Sequence, residues 1–309
     1  MAASIILDCD PGIDDALAIA FAHGHPGIEL LGITTVAGNV GLAKTTENAL
    51  AVCEFIGAAV PVTEGCATPL VRPALDAAHV HGESGLGGAK LPRPAATPAG
   101  GHAIDYIIET VREAPGEITL VATGPLTNIA LAVRKEPRLT QWVRDFVIMG
   151  GSSGRGNTTP AAEYNIWADP EAAAAVFAAG WTVNMVGLDV TQRSGASQAV
   201  LDRMAAFGPL GTELLRPALE QYRATAGEGG PPVHDVCAVV HVAEPGVFGF
   251  VPAHVAVETA GLLTSGMTVT DFGDDTPNTQ VAMLIDVSRF WELTLGAYAR
   301  LAEAMAPRR

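Results

Sequence analysis

Four aspartates, Asp8, Asp10, Asp14 and Asp15, fall within the short string Ile5-Ile6-Leu7-Asp8-Cys9-Asp10-Pro11-Gly12-Ile13-Asp14-Asp15. Carboxylates this close repel one another, and a fold holds them together most readily around a positive charge. Apart from Cys9 the available donors are oxygens, a set that suits a hard divalent cation such as calcium or magnesium better than zinc. The plainer reading is a helix cap followed by a solvated acidic turn. Four carboxylates, two of them bracketing the end of an apolar run, favour the metal.

The elements that must position this cluster follow from periodicity. Ser4 to Leu7 is short, apolar and β-branched, as in a buried strand, and alternation places Asp8 and Asp10 on one side of its end. Pro11-Gly12 forces a turn, and Ile13 to His23 then has the pattern of a helix carrying Asp14 and Asp15 in its first turn, where acidic groups suit the helix dipole. Beyond it, strands are predicted over Glu29–Val36, Ala59–Thr63, Ile118–Ala122, Phe146–Met149 and Thr182–Val186. Helices are predicted over Leu42–Ile56, His102–Glu113, Thr127–Arg134 and Pro170–Ala179. Such alternation implies an α/β fold: an open, mostly parallel, doubly wound sheet with helices on both faces. Ala196 to Ala226 has a helical pattern broken near Gly208-Pro209, and the tail from Val251 adds a small β and helical part closed by a helix over Ser288–Met305. The Pro- and Gly-rich stretch from Thr68 to Pro98 is too long for a plain connection and is expected to be a lid or binding loop.

Composition narrows the partners. The 309 residues are 49% hydrophobic with no internal repeat and no linker, so a single domain over 1–309 is expected. A net charge of −15 disfavours nucleic acid and anionic membranes. No segment has the apolar length of a membrane span and none resembles a secretion signal. Cys9, Cys53, Cys66 and Cys237 are scattered without zinc spacing, so a cytoplasmic protein with reduced cysteines is expected.

Asp10, Asn39, Thr123 and Met149-Gly150-Gly151 each follow the C-terminal end of a predicted parallel strand, the edge at which open α/β sheets bind ligands. Here the residues match a known family. Asp8-Cys9-Asp10-Pro11-Gly12-Ile13-Asp14-Asp15-Ala16 resembles the signature of the nucleoside hydrolases, which cleave the N-glycosidic bond of ribonucleosides. The resemblance continues in order through Thr34-Thr35-Val36-Ala37-Gly38-Asn39-Val40 and Ala122-Thr123-Gly124-Pro125-Leu126-Thr127-Asn128. It extends through Met149-Gly150-Gly151 with Gly156-Asn157 and Ala162-Glu163-Tyr164-Asn165-Ile166-Trp167-Ala168-Asp169-Pro170, to His234-Asp235. The histidine matches the inosine-uridine and pyrimidine-preferring branch.

The resemblance implies a bound calcium, held by Asp10, Asp15, the Thr123 carbonyl and Asp235, with Asp10 taking a proton from a water that the ion activates. It implies ribose contacts from Asp14, Asn39, Asn157, Glu163 and Asn165, with Met149 beneath the ring, and His234 protonating the departing base. It also implies a homodimer or homotetramer acting on small nucleosides. His81 in the long loop, and Tyr222 with Arg223 at a helix end, are candidates to face the base or equally to lie on the surface. Tyr164 stands where relatives often carry Phe, and Ser265 where they often carry Arg, in a segment expected away from the chemistry. Asp271, Asp274 and Asp275 are expected to form a solvated turn. Two other classes share parts of the pattern. A metal-dependent phosphatase also uses Asp-x-Asp at a strand end but needs a lysine that these motifs lack, and a non-catalytic nucleoside-binding protein would not require Asp10 and His234 together.

Overall fold

The apolar runs form one nine-stranded sheet in the computed structural model, which describes residues 2–223 and 229–306. The strands are β1 (Ala3–Cys9), β2 (Ile28–Thr35), β3 (Val62–Glu64), β4 (Ile118–Ala122), β5 (Asp145–Met149), β6 (Val183–Val186), β7 (Phe248–Val257), β8 (Thr268–Asp271) and β9 (Thr279–Ile285). Their spatial order is β3-β2-β1-β4-β5-β6-β9-β7-β8. Pairing is parallel from β3 through to β9, and β7 runs antiparallel to both β9 and β8. The chain winds outward from β1 to β3, then returns to place β4 on the other side of β1. This reversal opens a crevice beyond the carboxyl ends of β1 and β4, the position at which open α/β sheets take ligands.

Alternation along β1 feeds two cores. Ile5, Leu7 and Cys9 pack with Leu17, Phe21, Val239 and Phe290 from the helices Ile13–Gly24, His234–Ala243 and Val287–Met305 on one face. Ile6 packs with Leu120, Ile107, Ile129 and Val176 on the other, covered by the helices Ala103–Glu113, Thr127–Lys135 and Pro170–Phe177. The doubly wound α/β expectation therefore holds, and no described helix is long and apolar enough to cross a membrane.

The departures are local. The third strand is three residues long and starts at Val62, because Ala58 to Pro61 is spent leaving the helix Leu42–Ile56 through a left-handed Gly57 (φ 74°). The predicted break at Gly208-Pro209 is a true boundary: it separates the helix Gln198–Ala205 from a π-helical turn over Leu210–Leu215 that runs into the helix Arg216–Arg223. The predicted extension to Ala226 lies outside the described residues. Thr68 to Pro98 is a long irregular loop holding one helical turn, Ala78–His81. Tyr164–Ala168 and His234–Ala243 are helices that the periodicity did not reveal.

Candidate active site

Two helix N-termini meet at the crevice. The helix Ile13–Gly24 brings Asp14 and Asp15 in its first turn, and the helix His234–Ala243 brings His234 and Asp235 in its own. The positive ends of both dipoles point at the carboxylates and offset part of their repulsion. One carboxylate oxygen from each of Asp14, Asp15 and Asp235 lies within 4.8 Å of the others, all three buried. Asp10 is outside this group; its Oδ2 accepts the Asn39 backbone N–H at 2.6 Å, and its Oδ1 is buried with no hydrogen-bond partner among the described residues. Asp15 is the most heavily tied, accepting from the Gly12 N–H (3.0 Å), the Asn39 side-chain amide (3.1 Å) and the Thr123 hydroxyl (2.9 Å). Asp8 points elsewhere: it accepts from Thr34 (2.5 Å) and Asn128 (2.8 Å) and binds the ends of β1 and β2 to the helix Thr127–Lys135.

Burial raises every one of these acids. Asp10 is pushed well above the usual carboxylate range by burial and by the neighbouring Asp15 charge, and Asp235 likewise by burial, Asp14 and Asp15. Asp14 rises to about 7 through burial and Asp15, and Asp8 to about 7 through burial alone, against its hydrogen bonds. An oxygen-only donor set, an orphaned Asp10 oxygen and three converging buried carboxylates fit a hard divalent cation, since such a charge would offset both desolvation and mutual repulsion.

Above the carboxylates lies a cavity of about 250 Å³. Of the residues expected at the site, Asp14, Asn39, His81, Thr123, Met149, Asn157, Glu163, Asn165, Tyr222, His234 and Asp235 line it, with Asp10 and Asp15 buried behind them. His81 and Tyr222, the candidates from the long loop and the helix end, both line the cavity. His81 is buried, and its Nδ1 accepts the Ile13 backbone N–H at 3.1 Å. Its ring centroid is 6.0 Å from that of Tyr222, which is 6.5 Å from that of His234. Gly12 makes this approach possible, because a Cβ there would stand 2.5 Å from His81 Nδ1. Arg223 instead turns outward to Gln198. Asp271, Asp274 and Asp275 are exposed, in an acidic turn as expected.

Several side chains do more than face the cavity. Glu163 caps the helix Tyr164–Ala168 by accepting from the Asn165 and Ile166 N–H groups, and it also accepts from Gly151. Burial carries it up to about 7. Asn165 gives its amide protons to the carbonyls of Thr123 (2.8 Å) and Met149 (3.0 Å), locking the ends of β4 and β5 together. Asn157 is on the exposed rim and accepts from the Tyr164 N–H. His234 Nδ1 pairs with the Thr191 hydroxyl at 2.8 Å, and burial lowers both His234 and His81 to about 4.

Sequence reasoning missed Trp167, Asp76 and Thr158 in the wall, and Thr191 behind His234. Trp167 lay inside a matched segment and could have been found; Thr191 carried no local signal. Ser265 is nearer the site than expected, since its neighbour Gly266 packs against Trp167.

Residues 5–292 match the family model described as inosine-uridine preferring nucleoside hydrolase. The inosine-uridine preferring nucleoside hydrolase of Leishmania major is 45% identical over 316 residues, covering 98% of this chain and 99% of the relative. The non-specific ribonucleoside hydrolase RihC of Escherichia coli is 46% identical over 289 residues, covering 93% and 95%. Among solved structures, the purine-preferring ribonucleoside hydrolase from Gardnerella vaginalis superposes with a TM-score of 0.92 at 32% identity, covering 97% of this chain and 99% of that one.

Proposed function

Since the chain belongs to the inosine-uridine preferring nucleoside hydrolase family, and is a ribonucleoside hydrolase, we propose that it cleaves inosine-, uridine- and cytidine-type ribonucleosides to free base and ribose in a calcium-dependent reaction. The observation that carries the calcium reading is the convergence of buried, oxygen-only carboxylates beside the unpartnered Asp10 Oδ1. Asp10, Asp15, Asp235 and the Thr123 carbonyl would hold the ion, with Asp14 near enough to Asp15 and Asp235 to share in it. A bound calcium would supply Lewis acidity that makes a neighbouring water easier to deprotonate.

The protein's own groups then divide the work. Asp10 receives the proton of the attacking water at Oδ1, the oxygen that no donor among the described residues occupies. Asp14, Asn39, Asn157, Glu163 and Asn165 hold the ribose hydroxyls over Met149, and the acidic surroundings stabilise positive charge that develops on the sugar. Burial keeps the His234 ring neutral at pH 7, so it serves the departing base by donating an N–H that strengthens as negative charge builds there. His81, with Nδ1 engaged by Ile13, offers its other nitrogen to the cavity, and Tyr222 closes the same side. No lysine or arginine among the described residues lines the cavity, which disfavours a phosphorylated substrate. The same reading takes residues 1–309 as one domain working in the cytoplasm as a homodimer or homotetramer.

A panel of nucleosides assayed for released ribose tests the proposal. Inosine, uridine and cytidine are expected to be cleaved, and 2′-deoxyuridine to lose up to about four orders of magnitude in kcat/KM, because a site built around hydroxyls strands its polar groups when one is missing. Comparable values for uridine and deoxyuridine would refute the sugar-centred arrangement.

A further inference from the structure

We propose that the hydroxyl of Tyr164 is a positioning group for Asp10, acting through the single peptide unit that joins Gly38 to Asn39. Tyr164 Oη donates to the Gly38 carbonyl at 2.7 Å, and the N–H at the other end of that same peptide, on Asn39, donates to Asp10 Oδ2 at 2.6 Å. A trans peptide is planar with its C=O and N–H pointing in opposite directions, so fixing one end fixes the other. The chain phenol–carbonyl–amide–carboxylate is also cooperative: a donor on the carbonyl polarises the peptide and strengthens its N–H.

The surroundings show why the peptide needs such a grip. Gly38 lies so close to Asp10 that a Cβ would collide with Oδ2, so the position requires glycine, the residue whose backbone turns most freely. Asn39 is held separately by its side chain, which donates to the Asp10 carbonyl and to Asp15 Oδ2, and by its carbonyl, which accepts from Ala77. Those contacts, with the Gly38 N–H donated to the Val40 carbonyl, hold the neighbouring peptides and the side chain rather than the Gly38 carbonyl. Tyr164 holds that carbonyl, and its backbone is anchored because its own N–H is bound by Asn157 and its helix is capped by Glu163. The hydroxyl also lies 3.3 Å from the Leu75 carbonyl at the start of the long loop. The hydroxyl has a single proton, and the shorter distance makes the Gly38 carbonyl its principal acceptor. With the plane held, Asp10 Oδ2 is occupied and Oδ1 is left as the oxygen free to take a proton.

The inference rests on the reading of Asp10 as the general base, and the experiment separates the two. Tyr164→Phe keeps the ring and removes only the hydroxyl. Its kcat on inosine should fall about three- to tenfold, the worth of one hydrogen bond, with KM changed less than about twofold. In an Asp10→Asn background the same substitution should cost less than about twofold, since the group it positions is gone. Hydrogen exchange of the Asn39 amide, followed by NMR on protein labelled with 15N-asparagine and free of metal and substrate, should speed up by a similar three- to tenfold factor in Tyr164→Phe. An unchanged Asn39 exchange rate, or a kcat loss of the same size in both backgrounds, would overturn the positioning role. If Asp10→Asn alone retained activity within about tenfold of wild type, the base assignment would fail instead, whatever Tyr164 did.

Discussion

Two groups meet at the cavity, an acidic wall of Asp14 and Asp235 with Asp10 and Asp15 behind them, and an imidazole wall of His81 and His234; all are at most 7% exposed, yet burial moves them in opposite directions. It raises every acid and lowers both histidines, so each wall drifts toward its uncharged form. The two walls differ in the remedy open to them. Clustered acids regain their charge only if a cation joins them, whereas a neutral imidazole already donates and accepts hydrogen bonds. This physical asymmetry suits the division of labour proposed above, in which the acidic wall would handle metal, water and sugar and the imidazole wall the base.

Breaking the acidic wall should cost most. Asp10→Ala removes the proposed base, and turnover on inosine is expected to fall by at least about 10²–10⁴-fold. Activity within about tenfold of wild type, measured by ribose release, would move the base elsewhere. Breaking the imidazole wall should cost as much only where the leaving group needs help. His234→Ala is expected to lose about 10²–10³-fold in kcat on uridine, the usual worth of a hydrogen-bond donor aimed at developing negative charge, while cleaving p-nitrophenyl riboside nearly as well as wild type. Equal losses on both substrates would mean that His234 acts by holding Asp235 in place.

A smaller effect sharpens the contrast. His241 is buried against Phe248 and Phe250 with an Nδ1 that has no partner among the described residues, and burial lowers it to about 4, as it does His234. With its folded pKa below the unfolded value of about 6.5, the unfolded chain binds the extra proton first. Stability that is intact above pH 6.5 is therefore lost as the pH falls toward 4, by about 1–3 kcal/mol from this residue. Urea unfolding at pH 7 and pH 4.5 should show a smaller drop in His241→Leu than in wild type. An identical drop would mean that His241 titrates normally.

How far the sequence could be read follows from the range of the interactions. Strand and helix periods are local, so β1, the helix Ile13–Gly24 and the parallel sheet were all apparent, and the strand-end rule gathered Asp10, Asn39, Thr123 and Met149 at one edge before any coordinates. The carboxylate grouping was less legible, because whether Asp14 or Asp10 turns toward Asp235 is set by the helix His234–Ala243, whose apolar run has no clear period. His81 was ambiguous for a similar reason. Its burial depends on the bond to Ile13, sixty-eight positions away in the chain, and on space left by Gly12. The Thr191 contact to His234 and the Tyr164 grip on the Gly38 carbonyl are long-range pairings that no pattern along one chain encodes.

The claim that the acidic wall works only with a cation is tested most directly by titrating calcium into protein stripped of metal while following ribose release from inosine. Release should be absent at the start and return in proportion to the calcium bound. Full-rate release from protein shown to contain no residual metal would contradict the account.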